Sequence, residues 1–197
     1  MLEGLKPFYN HLLKPCTRSL DRLGIRPNHI TILGLFLFTA AGVVTAMGHW
    51  YYALILVVAG AVMDGLDGVL AREAGRKTIF GAILDSSCDR FTEFALLFGV
   101  LIFYLRMDTW FYGIVLCFTG ITGSILVSYV KARCEGAGVP CAGGILQRPE
   151  RIILLAIGLI AGPSVMIWIL LALTLFSFFT VVQRLVIASL YCKRNNL

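Results

Sequence analysis

Six apolar stretches, at approximate residues 29-48, 50-71, 79-105, 109-131, 150-162 and 164-191, take up most of this 197-residue chain. A helix needs about 20 mostly apolar residues to cross the roughly 30 Å of bilayer hydrocarbon. The pattern therefore predicts an all-α integral membrane protein with six transmembrane helices and no room for a second folded domain. Composition points the same way: 58% of the residues are hydrophobic and only 14% are charged, against roughly 25% charged in an ordinary soluble domain. The mean hydropathy is +0.85.

The first 28 residues, MLEGLKPFYNHLLKPCTRSLDRLGIRPN, lack the apolar core and small-residue cleavage site of a signal peptide. Leu2, Leu5, Phe8/Tyr9, Leu12/Leu13 and Leu20 recur near helical spacing among basic residues, which predicts a retained interfacial amphipathic helix. The expected organisation is a juxtamembrane segment over 1-28, a six-helix domain over 29-191 and a short tail over 192-197.

A net charge of +6 would suit a nucleic-acid binder, but the basic residues sort by loop. Lys6, Lys14, Arg18, Arg22 and Arg26 precede the first span, and Arg72, Arg76 and Lys77 lie between the second and third. Lys131, Arg133, Arg148 and Arg151 surround the connection between the fourth and fifth, and Lys193 and Arg194 follow the sixth, while the opposite loops hold only Arg106. The positive-inside rule puts both termini and the two long loops on the cytoplasmic side of a multi-pass cell-membrane protein, with membrane lipid and not nucleic acid as its surroundings. The six cysteines form no C-x-x-C pair and have no histidine cluster beside them, so they read as apolar filler or free thiols. His11, His29 and His49 are separated and read as non-ligands.

Against this background the stretch 63-91, MDGLDGVLAREAGRKTIFGAILDSSCDRF, stands out for Asp64, Asp67, Asp85 and Asp89. An acid at the centre of a membrane helix costs about 2.5 to 3.5 kcal/mol by insertion scales. Asp64 and Asp67 are i,i+3 near the end of the second span; Gly81, Asp85 and Asp89 form an i,i+4 stripe at the start of the third. The short connection REAGRKT makes these two spans antiparallel neighbours and would gather all four carboxylates at one membrane edge. Such a cluster needs either protons or cations. Hard oxygen donors suit Mg2+, with Mn2+ able to substitute, and two such ions clamp phosphate oxygens during in-line displacement.

Written out, the spacing from Asp64 is D-x2-D-G-x2-A-R-x8-G-x3-D-x3-D, ending at Asp89. It matches the CDP-alcohol phosphotransferase signature at all eight fixed positions, and the six spans match that family's fold. The resemblance implies transfer of a phosphatidyl-type group from a CDP-linked lipid to an alcohol, with release of CMP. It also implies ligand roles for Asp64, Asp67 and Asp85 toward one metal and for Asp64, Asp85 and Asp89 toward a second. Asp89 is then the base that takes the acceptor's proton. Asn28, Thr31, Gly68, Arg72 and Thr78 become contacts of the CDP-lipid, and the resemblance favours a homodimer.

The acceptor is read from a second cluster. Lys131 and Arg133 end the fourth span, Arg148 and Arg151 open the fifth, and Arg184 lies deep in the sixth, where a cation must face the protein interior or a wet cavity. The loop-end residues would also serve as topology determinants snorkelling to anionic headgroups. The sharper reading is a pocket for a phosphate carried by the acceptor. YVKAR at 129-133 and RPER at 148-151 resemble the branch that uses inositol phosphate, the phosphatidylinositol-phosphate and archaetidylinositol-phosphate synthases. Glycerol 3-phosphate is the competing acceptor. Arg90 is left out of the site as a partner for Glu93 or Glu150, and Glu73 is read as solvated. The Gly-rich loop 134-149 is expected to interrupt helix. A cation or proton transporter would also place acids in the membrane, but it does not require Gly68, Arg72 and Gly81 at their spacings.

Overall fold

The computed structural model describes residues 15–17, 19–107, 111–141 and 143–195. Six long helices make up nearly all of it: α1 (Pro27–Ala46), α2 (Trp50–Glu73), α3 (Ile79–Leu105), α4 (Phe111–Gly136), α5 (Arg148–Ala161) and α6 (Pro163–Arg194). No strand occurs among the described residues. Proline starts α1 and α6, where its missing N–H costs nothing. Thr78 caps α3 by accepting a hydrogen bond from the Gly81 amide at 2.9 Å.

Four helices, α1, α2, α4 and α6, are long and apolar enough to cross a membrane by length and composition. The other two differ for separate reasons. α3 has ample length at 27 residues but carries Asp85, Asp89, Arg90 and Glu93. α5 has 14 residues, about 21 Å at the usual rise of 1.5 Å per residue. α6, with 32 residues, runs past the expected span and takes in the first half of the expected tail, to Arg194. The amphipathic helix expected over 1-28 lies mostly outside the described residues, as do positions 109 and 110 at the start of the fourth expected span and residues 196 and 197 of the tail. Asp21, within the described part of the N-terminal segment, pairs with Arg76 at 2.9 Å.

The tight helix pairs are α1–α2, α1–α3, α4–α6, α3–α4, α5–α6 and α2–α5. α2 and α3 are not among them: joined by a short connection, each packs on α1 instead of on the other. The physical reason lies in small residues. The Gly42 and Gly99 backbones touch so closely that a Cβ on Gly99 would fall 2.1 Å from the Gly42 carbonyl oxygen, which lets α1 and α3 meet along their lengths. The main core, with Phe38, Leu96, Leu97, Tyr104, Leu155, Met166 and Leu170 buried, fills the bundle, and Phe38 borders the hollow beside the acids. Tyr104 ties the far end of α3 to the α5–α6 turn by donating to the Pro163 carbonyl at 2.6 Å. Outward-facing Phe36, Tyr51, Phe91, Phe118, Trp168 and Phe179 are exposed on several helices, a far larger apolar exterior than a soluble monomer presents.

All six cysteines are free. Cys134 and Cys141 sit in a small apolar cluster with Val130 and Val139, and burial pushes the Cys141 thiol up. Cys134 lies on the last turns of α4 and Cys141 in the segment that follows, where helix is interrupted among Gly and Pro residues.

Candidate active site

The gap left between α2 and α3 is where the acids meet. One carboxylate oxygen each from Asp64, Asp85 and Asp89 comes within 4.8 Å of the others. Asp67 is 5% exposed, and its Oδ2 accepts a 2.5 Å hydrogen bond from the Thr31 hydroxyl of α1. Asp67 still shares a small hollow with Asp64 and Asp89. The arrangement fits a hard divalent cation on its donor chemistry: three carboxylates converge from two helices.

On one side of the acids lies a cleft of about 310 Å3. All five residues expected to contact the CDP-lipid, Asn28, Thr31, Gly68, Arg72 and Thr78, line it together with Asp67 and Asp85. Its two motif glycines are sites of close approach. A Cβ on Gly68 would stand 3.3 Å from Arg72 Nη1, so the bare backbone gives the guanidinium its seat. A Cβ on Gly81 would meet Thr78 Oγ1 at 2.9 Å and Asn28 Oδ1 at 3.3 Å. Arg76 and Lys77 add positive charge to the rim and were not singled out as site residues from the sequence. Their position in a short basic connection beside the acids was the available signal.

On the other side lies a second cavity, also about 310 Å3, walled by α3, α4, α5 and α6. Asp89 lines it, and so do Lys131, Arg148, Arg151 and Arg184 of the expected acceptor set. Arg133 does not; it is exposed at the end of α4. Ser86, Ser128 and Gln147 complete much of the polar wall.

The cations on this wall are held differently. Arg151, 2% exposed, donates from Nε and Nη2 to the two oxygens of Glu93 at 2.5 and 2.8 Å and from Nη1 to the Leu146 carbonyl at 3.1 Å. Arg184 is buried, as the sequence required, and donates to the carbonyls of Gly143 at 2.8 Å and Val127 at 2.5 Å. Lys131 is half-exposed and 3.7 Å from Glu135. Arg148 reaches into the acid cluster: its Nη1 donates to both oxygens of Asp64 at 2.9 Å and lies 2.9 Å from Asp89 Oδ1, while Nη2 donates to Thr92 Oγ1 at 3.3 Å.

Glu93 is thus the partner of Arg151 and not of Arg90, whose Nη1 donates to the Ser86 carbonyl. Glu150 accepts from the Gln147 amide at 2.6 Å and so caps its own helix. Glu93 was missed as a site residue although a lone acid one turn beyond Asp89 in an apolar helix is itself a signal.

Residues 25–189 match the model of the CDP-alcohol phosphatidyltransferase family, and the chain belongs to that family. It is a phosphotransferase of phospholipid biosynthesis, acting by transfer from a CDP-linked lipid. The archaetidylinositol phosphate synthase of Methanothermobacter thermautotrophicus is 31% identical over 190 residues, covering 94% of this chain and 93% of that one. The phosphatidylinositol phosphate synthase of Corynebacterium glutamicum is 36% identical over 194 residues, covering 95% and 88%. A crystal structure of Mycobacterium tuberculosis phosphatidylinositol phosphate synthase with CDP-DAG bound superposes with a TM-score of 0.83 at 31% identity, over 90% of this chain and 94% of that one. The same enzyme in complex with manganese and citrate gives a TM-score of 0.81 at 32% identity, over 89% and 88%.

Proposed function

We propose that this protein joins the lipid-phosphoryl group of a CDP-linked lipid to a hydroxyl of inositol phosphate, releasing CMP. The observation that carries the reading is the meeting of two cavities at the acid cluster: Asp67 and Asp85 border one and Asp89 the other. In this reading Asn28, Thr31, Gly68, Arg72 and Thr78 seat the nucleotide end of the donor. Asp64, Asp67 and Asp85 would hold one Mg2+ and Asp64, Asp85 and Asp89 a second, with Mn2+ able to replace either. Bound there, the cations would neutralise charge on the phosphoryl oxygens and on the departing CMP. Asp89 accepts the proton of the acceptor hydroxyl as its oxygen bonds to the lipid's phosphorus and the bond to CMP breaks. Lys131, Arg148, Arg151 and Arg184 hold or frame the acceptor's phosphate, which suits fork-shaped guanidinium donors; Arg133 contributes from the rim.

The basic residues of the α2–α3 and α4–α5 connections lie at the acid end of the helices, which supports a site at the cytoplasmic face of the cell membrane with α3 and α5 completing six membrane segments. The family resemblance favours a homodimer. The names of the relatives above support inositol phosphate over glycerol 3-phosphate. The test is CMP release by purified protein given CDP-diacylglycerol, Mg2+ and either acceptor. Faster release with inositol phosphate is expected; faster release with glycerol 3-phosphate would reassign the acceptor, and none with either would overturn the reading.

A further inference from the structure

One guanidinium touches both halves of the site. Arg148 lines the acceptor-side cavity, yet its Nη1 sits 2.9 Å from both oxygens of Asp64 and from Asp89 Oδ1. Those two residues supply two of the three carboxylates that converge within 4.8 Å. A divalent cation drawing on the same oxygens would face a fixed positive charge at contact distance, where Coulomb repulsion is strong. Arg148 is also the arginine with a place to go. Arg151 is locked by Glu93 and the Leu146 carbonyl, and Arg184 by two backbone carbonyls. Arg148 Nε, by contrast, is buried with no hydrogen-bond partner. Its backbone is fixed at the first turn of α5 by Pro149 and by the Gln147–Glu150 hydrogen bond, so exchange needs only side-chain rotation.

We propose that Arg148 is shared in alternation between the acids and the phosphate of the acceptor, so that cation binding and acceptor binding strengthen each other. The proposal rests on reading the acids as the cation site and the cavity as the acceptor's. An acceptor phosphate in the cavity offers the guanidinium bidentate contacts in exchange for Asp64 and Asp89. Drawing Arg148 away frees the carboxylate oxygens for the cation, and linkage makes the effect reciprocal. Arg148 then acts as a positioning residue that favours a fully loaded site over a partly loaded one.

The test measures Mn2+ affinity by electron paramagnetic resonance on the detergent-solubilised full chain without CDP-lipid, so that no turnover occurs. In the parent protein, inositol phosphate is expected to tighten Mn2+ binding by roughly fivefold or more. Arg148→Gln is expected to bind Mn2+ alone more tightly by a similar factor and to lose the response to inositol phosphate. Arg148→Lys keeps the charge without the fork, and should retain the parent's weaker Mn2+ affinity with a reduced response. An unresponsive parent, or an Arg148→Gln variant whose Mn2+ affinity is unchanged or weaker, overturns the coupling. Failure of every form to bind Mn2+ overturns the cation reading beneath it.

Discussion

The donor-side cleft and the basic cavity meet at the acid cluster, with Asp67 and Asp85 on the first and Asp89 on the second, but the chain builds acids and cations in opposite ways. The four acids come from 26 consecutive residues, Asp64 to Asp89, at fixed helical spacings on two helices joined by one short connection. The cavity draws Lys131, Arg148, Arg151 and Arg184 from three helices over more than fifty residues. Charge satisfaction differs too. Carboxylates brought together repel and need outside cations, whereas Arg151 and Arg184 find carboxylate or carbonyl partners within the fold. A carboxylate cluster therefore announces a ligand, while a cluster of arginines does not until their partners are known.

The largest effect is expected at Asp89, the acid that faces the basic cavity. Asp89→Asn should lower kcat by about 10²- to 10⁴-fold, the usual range for losing a general base, with CDP-lipid binding largely intact. Full activity in that variant would exclude Asp89 as the base. Next comes the internal pairing of the basic side. Glu93→Ala leaves Arg151 buried and uncompensated, which should cost about 3–5 kcal/mol of stability, read as a lowered melting temperature. Replacing both partners, as Glu93→Leu with Arg151→Met, should recover most of that stability while acceptor KM stays raised.

A smaller effect is expected in the cleft. Gly68→Ala puts a methyl 3.3 Å from Arg72 Nη1 and should raise the KM for CDP-lipid by about fivefold, equivalent to about 1 kcal/mol; acceptor KM should not move. The smallest separates cavity wall from rim. Lys131→Ala should raise acceptor KM, whereas Arg133→Ala, at an exposed position off the wall, should change it by no more than about 1 kcal/mol in binding, the range for surface charges. An equal loss in both would mean that the two act only through the surface field.

Much of the site was legible because helical spacing is a local property. The i,i+3 and i,i+4 offsets placed Asp64 with Asp67 and Asp85 with Asp89 before any tertiary contact was known, and the five expected nucleotide-side residues do line one cleft. The helix count was legible from hydropathy, although α5 is shorter and α3 more charged than simple spans. The short connection does bring acids of α2 and α3 together, but it does not make the two helices pack closely on each other. A short connection limits how far apart two helix ends lie, but the small residues of α1 decide which faces touch.

The sequence alone determined an all-helical membrane protein with four acids at one edge, because hydrophobic length and helical period are set by neighbouring residues. Only the tertiary structure decided that α1 packs against both α2 and α3, that Glu93 immobilises Arg151, and that Arg148 leans on Asp89 and, from 84 residues away, on Asp64. Those outcomes depend on which side chains meet across helices, and the energy of a buried charge is fixed by that partner and not by its position in the chain.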